Sequence, residues 1–176
     1  MAKLDHIFEE ILRVEGWPKV SDHPADRGGL TKGPITQATL SSWRGRKTRR
    51  LELKELTKAE SIAILKRQYL ESNGIQKLQD HPILHQVVDD AVLSSPYLAV
   101  KDLQRALDDP EVDVDGLIGP ITLQAVEAAD DTLGARLAVV RSLRLAKFAI
   151  AQQSQLVFLY GWLRRSLSFA HGPNKT

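Results

Sequence analysis

Apolar residues recur in this chain at helical spacing, in segments of helix length separated by Pro, Gly and Ser, and that pattern leaves room for little but a helical fold. Leu4, Ile7, Phe8, Ile11 and Leu12 mark the first face, which Gly16 and Pro18 stop. Thr57-Lys58-Ala59-Glu60 reads as a capping box ahead of Ile62, Leu65, Tyr69 and Leu70, and Ser72-Asn73-Gly74 ends that segment. Pro82 suits the first turn of a helix that buries Leu84, Val87, Val88, Ala91 and Val92, and Ser94-Ser95-Pro96 breaks it. Further helices are predicted from Pro96 to Leu107, from Pro120 to about Ala129 and from Leu133 to Ala151. Ser154 is the expected cap of the last helix, with Val157, Phe158, Gly161, Trp162 and Leu163 inward. No strand pair shows a clear alternation, Lys47 to Leu53 being the one candidate extended stretch. The expected fold class is all-α.

Glu15 is the residue with the most chemistry in its surroundings. It lies four positions after Ile11, so it shares the apolar face of the first helix, and helix breakers follow it at once. A carboxyl group placed there, aimed at a loop, is partly desolvated. Desolvation favours the protonated form of a carboxyl group, which is the form a general acid needs. The loop itself, Ser21 to Thr36, holds Gly28-Gly29, Gly33-Pro34, Asp22, Asp26, Thr31 and Thr36. Adjacent glycines allow the backbone to approach a ligand closely. Long loops without secondary structure are uncommon and often functional, and a helix bearing an acid, joined by such a loop to a helix capped by Thr36, suits a cleft for a hydrated polymer such as a glycan. The alternative at Glu15 is an ordinary solvated glutamate.

These residues resemble a known family. Glu15-Gly16-Trp17 followed by Asp26-Arg27-Gly28-Gly29-Leu30-Thr31-Lys32-Gly33-Pro34-Ile35-Thr36 is similar to the active-site segment of the glycoside hydrolase 108 muramidases, lysozyme-like enzymes found as bacteriophage endolysins and in bacterial genomes. Trp17-Pro18 replaces the family's usual Gly-Tyr and Gly33-Pro34 its usual Tyr-Gly, at positions that line the family's cleft. Leu84 to Val92 resembles the family's second core helix. Ala99 to Leu107, Asp115-Gly116-Leu117-Ile118-Gly119-Pro120 and Phe158 to Arg165 resemble its companion peptidoglycan-binding region.

The resemblance implies a lysozyme-like catalytic part over residues 1–95 and a helical peptidoglycan-binding part over 96–176, sharing a core with the first. It implies hydrolysis of the β-1,4 bond between N-acetylmuramic acid and N-acetylglucosamine, without a cofactor, by a monomer whose partner is peptidoglycan and not nucleic acid. Glu15 is the expected general acid. Asp26 is a candidate second carboxylate, with capping of backbone N–H groups as its alternative role. Thr31 is a candidate for positioning the attacking water. Trp17, Asp22, Gly28, Gly29, Lys32 and Thr36 are candidate substrate-binding residues. Asp89 and Asp90 reach either the cleft floor or a neighbouring helix end.

Composition narrows the rest. Hydrophobic residues make up 43% and charged residues 26%, as in an ordinary globular protein, and no apolar run reaches transmembrane length. Asp5, Glu9 and Glu10 inside the first amphipathic segment do not make a signal peptide. The expectation is therefore synthesis in the cytoplasm, and the resemblance implies an endolysin that acts on the periplasmic cell wall of its host after release by a holin-type pore. Cysteine is absent, which excludes disulfides, thiolate metal sites and a cysteine nucleophile. Residues 132–176 contain Arg136, Arg141, Arg144, Lys147, Arg164, Arg165 and Lys175 and no acid. That excess makes an anionic outer-membrane or phospholipid surface a second candidate partner; solvated helix faces are the alternative.

A zinc amidase also cuts peptidoglycan, and His81, His85 and His23 are its candidate ligands here. Pro82, however, biases His81 out of the helix, and no His-Glu-x-x-His occurs. Asp109, Asp113 and Asp115 lack the spacing of an EF-hand and read as a turn. A non-catalytic wall or membrane binder is the other rival reading.

Overall fold

Ile7, Phe8, Ile11 and Leu12 are all buried on one face of helix α1, Ala2–Val14, as the opening period requires. The computed structural model describes residues 2–22 and 29–171. The chain divides into two compact units, Met1–Gln68 and Tyr69–Thr176.

In the first unit α1 is followed by three two-residue strands, β1 Val20–Ser21, β2 Thr31–Lys32 and β3 Ile35–Thr36. They form one antiparallel sheet in the order β1-β2-β3, with Ser21 opposite Thr31 and Lys32 opposite Ile35. Thr36 then caps α2, Gln37–Trp43, its hydroxyl oxygen accepting from the Thr39 N–H at 2.9 Å. Lys47 to Leu53 is not extended: after a loop it enters α3, Arg50–Lys54, where Glu52 accepts the N–H of Arg49 at 2.8 Å and fixes the first turn. Thr57 caps α4, Lys58–Leu65, by accepting from the Glu60 N–H. Leu30, Ile35, Leu40, Leu53, Leu56, Ile64 and Leu65 complete the buried apolar side chains of this unit among its described residues.

Helices are the regular elements of the second unit among its described residues. A 3-10 turn, Ile75–Leu78, precedes α5, Leu84–Leu93. Ser95 caps α6, Pro96–Leu107, and Pro96 occupies its first turn, where the missing N–H costs nothing. Pro120 does the same for α7, Pro120–Ala128. Helix α8 runs Leu133–Ala151 and α9 runs Leu156–Ser168. Ser154 lies in a 3-10 turn ahead of α9 and makes no cap; Gln155 precedes the helix without a side-chain bond to it. The inward face of α9 also differs from expectation. Val157 is 70% exposed, while Ser166 is buried and donates to the Ala138 carbonyl.

The Asp115-to-Pro120 segment is a turn held from several sides. The Gln104 carbonyl oxygen accepts from the Gly116 N–H at 2.8 Å, and its amide donates to Asp115 and to the Leu117 carbonyl. Asn73 Nδ2 donates to the Gly116 carbonyl and Lys77 Nζ to the Ile118 carbonyl. The hydrogen bonds from Gln104 and from the Leu117 N–H hold the Asp115 carboxyl below the usual range for an aspartate.

Asp89 and Asp90 face helices of their own unit. Asp89 accepts from Arg141 Nη1 at 2.8 Å and from Arg165 Nη2 at 2.6 Å. Asp90 accepts from Arg144 Nη2 at 2.8 Å and lies 3.1 Å from Arg141 Nε. Arg144 also donates to Asp102, as does Arg105. Arg141 has no exposed surface. Burial raises the Asp102 carboxyl above its usual value, and Arg144 pulls against that shift.

Candidate active site

The text Leu12-Arg13-Val14-Glu15-Gly16-Trp17 closes α1 in a Schellman motif. The Trp17 N–H donates to the Leu12 carbonyl at 2.9 Å and the Gly16 N–H to the Arg13 carbonyl at 3.1 Å. Gly16 takes the left-handed conformation the motif needs, with φ +74°. Glu15 is thereby the last residue of the helical path, its own N–H still bonded to Ile11 at 2.9 Å. The chain reverses immediately after it, leaving the half-buried Glu15 beside a cleft of about 310 Å³. Val14, Glu15, Gly16, Lys19, Ser21, Thr31 and Gly33 line that cleft.

Two backbone bonds set its width. The Lys19 N–H donates to the Gly16 carbonyl at 2.9 Å, and the Gly33 N–H donates to the Lys19 carbonyl at 3.1 Å. One wall is thus the closing turn of α1 and the other the β2–β3 hairpin. The Thr31 hydroxyl lies 3.5 Å from the Ser21 carbonyl, a weak bond across β1 and β2 that leaves its oxygen in the cleft wall. Against this wall a carboxyl can deliver a proton to a bound oxygen, and hydroxyls can hold a water.

Of the sequence candidates, Glu15 and Thr31 line the cleft. Trp17 is half-buried against Gly33, where an added Cβ would come within 3.2 Å of its ring. Lys32 is placed elsewhere. It is buried, its ammonium donates to the carbonyls of Lys54 and Leu56 at the end of α3, and it sits 4.8 Å from the centre of the Trp17 ring. Its charge is held by carbonyls that α3 leaves open, so it supports Trp17 from behind. Asp22 pairs with Arg50 at 3.0 Å, outside the cleft lining. Thr36 is committed to its cap on α2. Gly29 is half-buried at the edge of the described loop. Asp26 and Gly28 lie outside the described residues, as does His23.

Lys19 and Ser21 went unremarked in the sequence. Lys19 follows Trp17-Pro18, and nothing in a run of loop residues reveals which side chain the hairpin will meet. Among the described residues no three His, Asp or Glu side chains gather as a metal ion would require. His81 Nδ1 accepts the Ile83 N–H at 3.1 Å, and His85 stands edge-on to Phe169 with ring centres 5.3 Å apart.

Comparison with known proteins adds three findings. The family model described as glycosyl hydrolase 108 matches residues 8–94, and one described as a predicted peptidoglycan domain matches residues 98–167. Among solved structures the chain is similar to that of SagA from Brucella abortus, with a TM-score of 0.75 and 31% sequence identity over 96% of each chain. No curated protein matches it.

Proposed function

The chain belongs to the glycosyl hydrolase 108 family, and from that premise we propose that it is an N-acetylmuramidase in which Glu15 is the general acid. It hydrolyses the β-1,4 bond between N-acetylmuramic acid and N-acetylglucosamine in bacterial peptidoglycan. The observation that carries this reading is the placement of Glu15: a carboxyl group at the C-terminus of α1, inside the family-matched segment, opening onto a cleft. Glu15 protonates the bridging oxygen as the glycosidic C–O bond breaks. Water then adds to the sugar carbon and gives its proton to a base. Asp26 is our candidate for that base, and Thr31 our candidate for holding the water.

The part matched by the peptidoglycan-domain model, residues 98–167, anchors the enzyme to the wall in this reading. The family's occurrence among bacteriophage endolysins supports a role in host lysis, with synthesis in the host cytoplasm and release to the periplasm through a holin-type pore. Among the described residues of α8 and α9, the exposed cations that could meet an anionic lipid surface are Lys147 and Arg164. Arg141, Arg144 and Arg165 are occupied by aspartates, and Arg136 pairs with Asp130.

Glu15→Gln is expected to fold as wild type by circular dichroism. It should release reducing sugar ends from purified sacculi roughly 10²–10⁴-fold more slowly. Mass spectrometry of the wild-type digest should find N-acetylmuramic acid at the new reducing ends. A Glu15→Gln variant that clears sacculi at the wild-type rate removes the mechanism, and release of free stem peptides in place of sugar ends replaces it with amidase chemistry.

A further inference from the structure

Lys19 is the one cation in the cleft lining among the described residues. Its main chain is clamped to both walls, through Gly16 on one side and Gly33 on the other, so its side chain starts from a fixed point next to Glu15. Three other lysines of this unit have their charges already engaged. Lys32 donates to two carbonyls, Lys58 pairs with Glu9 at 2.7 Å, and Lys66 pairs with Asp5 at 2.6 Å. Lys19 is exposed and engages no carboxylate among the described residues. A lone ammonium in a cleft attracts an anionic group of the ligand.

We infer that Lys19 is a specificity-determining residue that takes a carboxylate of the substrate and so distinguishes an acidic glycan from a neutral one. The inference rests on the muramidase reading for the identity of the polymer. In peptidoglycan the muramic acid residue alone carries a lactyl group. That group ends in a carboxylate when the stem peptide has been removed, and in an amide leading to the stem's own carboxylates when it is present. A polymer of N-acetylglucosamine has no carboxylate at all. Contact with Lys19 therefore places a muramic acid residue, rather than an N-acetylglucosamine, beside the acid. Lys32 cannot play this part, because its ammonium is buried under Trp17.

The test is equilibrium binding by calorimetry to the full-length Glu15→Gln protein, which keeps each ligand intact. Three ligands of equal length are compared: peptidoglycan strands with stems, the same strands stripped of stems, and chitin fragments. The quantity read is the ratio of affinity for an acidic strand to that for chitin. Lys19→Gln should lower this ratio about two- to five-fold, the effect expected of one exposed ion pair, and Lys19→Arg should restore it. A fall confined to stripped strands assigns the contact to the lactyl carboxylate, and one confined to stem-bearing strands assigns it to the stem. A ratio unchanged by Lys19→Gln, or equal affinity for acidic and neutral strands before any change at Lys19, overturns the inference. The muramidase reading fails separately, if the wild-type protein releases no reducing ends from either kind of peptidoglycan strand.

Discussion

Gly116 shows how narrowly a single position can be set. Its φ is +82°, and a methyl group added there would lie 2.4 Å from Cδ2 of Tyr97. Gly116→Ala is expected to cost about 1–3 kcal/mol from the backbone conformation alone, with the Tyr97 overlap adding to that. Gly161 is the opposite case. It sits inside α9 with nothing within 4 Å of an added carbon, so Gly161→Ala should stabilise by about 0.5–1 kcal/mol. Denaturant midpoints of the two variants check the pair, and the same sign for both would refute the argument. Residue identities carried this much openly: Asp115-Gly116 reads as a turn and Glu15-Gly16 as a helix end because few other residues adopt those conformations. Lys19 and Lys32 were not readable in that way. A lysine stem is long enough to reach either solvent or the carbonyls of a distant helix end, and the sequence does not record which of Lys19 and Lys32 does so.

Among the elements, α3 is short and depends on its charges. Glu52 receives Arg46 Nη2 at 2.6 Å, Arg44 Nη1 at 3.0 Å and the Arg49 N–H at 2.8 Å. The Arg46 bond first, and the Arg49 N–H second, lower its pKa from 4.5 to about 2. A carboxylate depressed in the folded state stabilises the protein fully above its unfolded value, and loses that contribution as pH falls through the folded one. The contribution of Glu52 is therefore present above pH 4.5 and fades between 4.5 and about 2. Glu52→Gln should flatten the fall in denaturant midpoint across that window relative to wild type; parallel curves would show that the clamp does not matter. The long helices were legible because Ser95-Pro96, Gly119-Pro120 and a sustained period of 3.6 mark them in the text. The three strands were not, since two residues each cannot display an alternation. The face of α9 differs from expectation at Val157, 70% exposed, and at the exposed Gly161, because an apolar residue at helical spacing points inward by composition alone.

For the whole chain, net charge by segment misleads until the pairs are known. The acid-free stretch after residue 132 holds seven cations. Arg141, Arg144 and Arg165 among them bind Asp89, Asp90 and Asp102, which lie within the apolar runs of α5 and α6. An aspartate pair set among Val87, Val88 and Ala91 was the visible sign of this arrangement. Arg141→Met should destabilise the protein by about 3–5 kcal/mol, because it leaves Asp89 and Asp90 buried with a partner removed. Thermal unfolding measures the loss, and a change under 1 kcal/mol would show that Arg144 and Arg165 suffice. Asp89 also bears on how the protein is made. Its bonds to Arg165 span 76 positions of sequence. Until Arg165 has left the ribosome, Arg141 is the one of its two arginine partners that this carboxylate can meet. The final arrangement of the second unit must therefore wait until residue 165 has emerged, and a nascent chain stalled before that point would hold a buried anion short of one counter-charge.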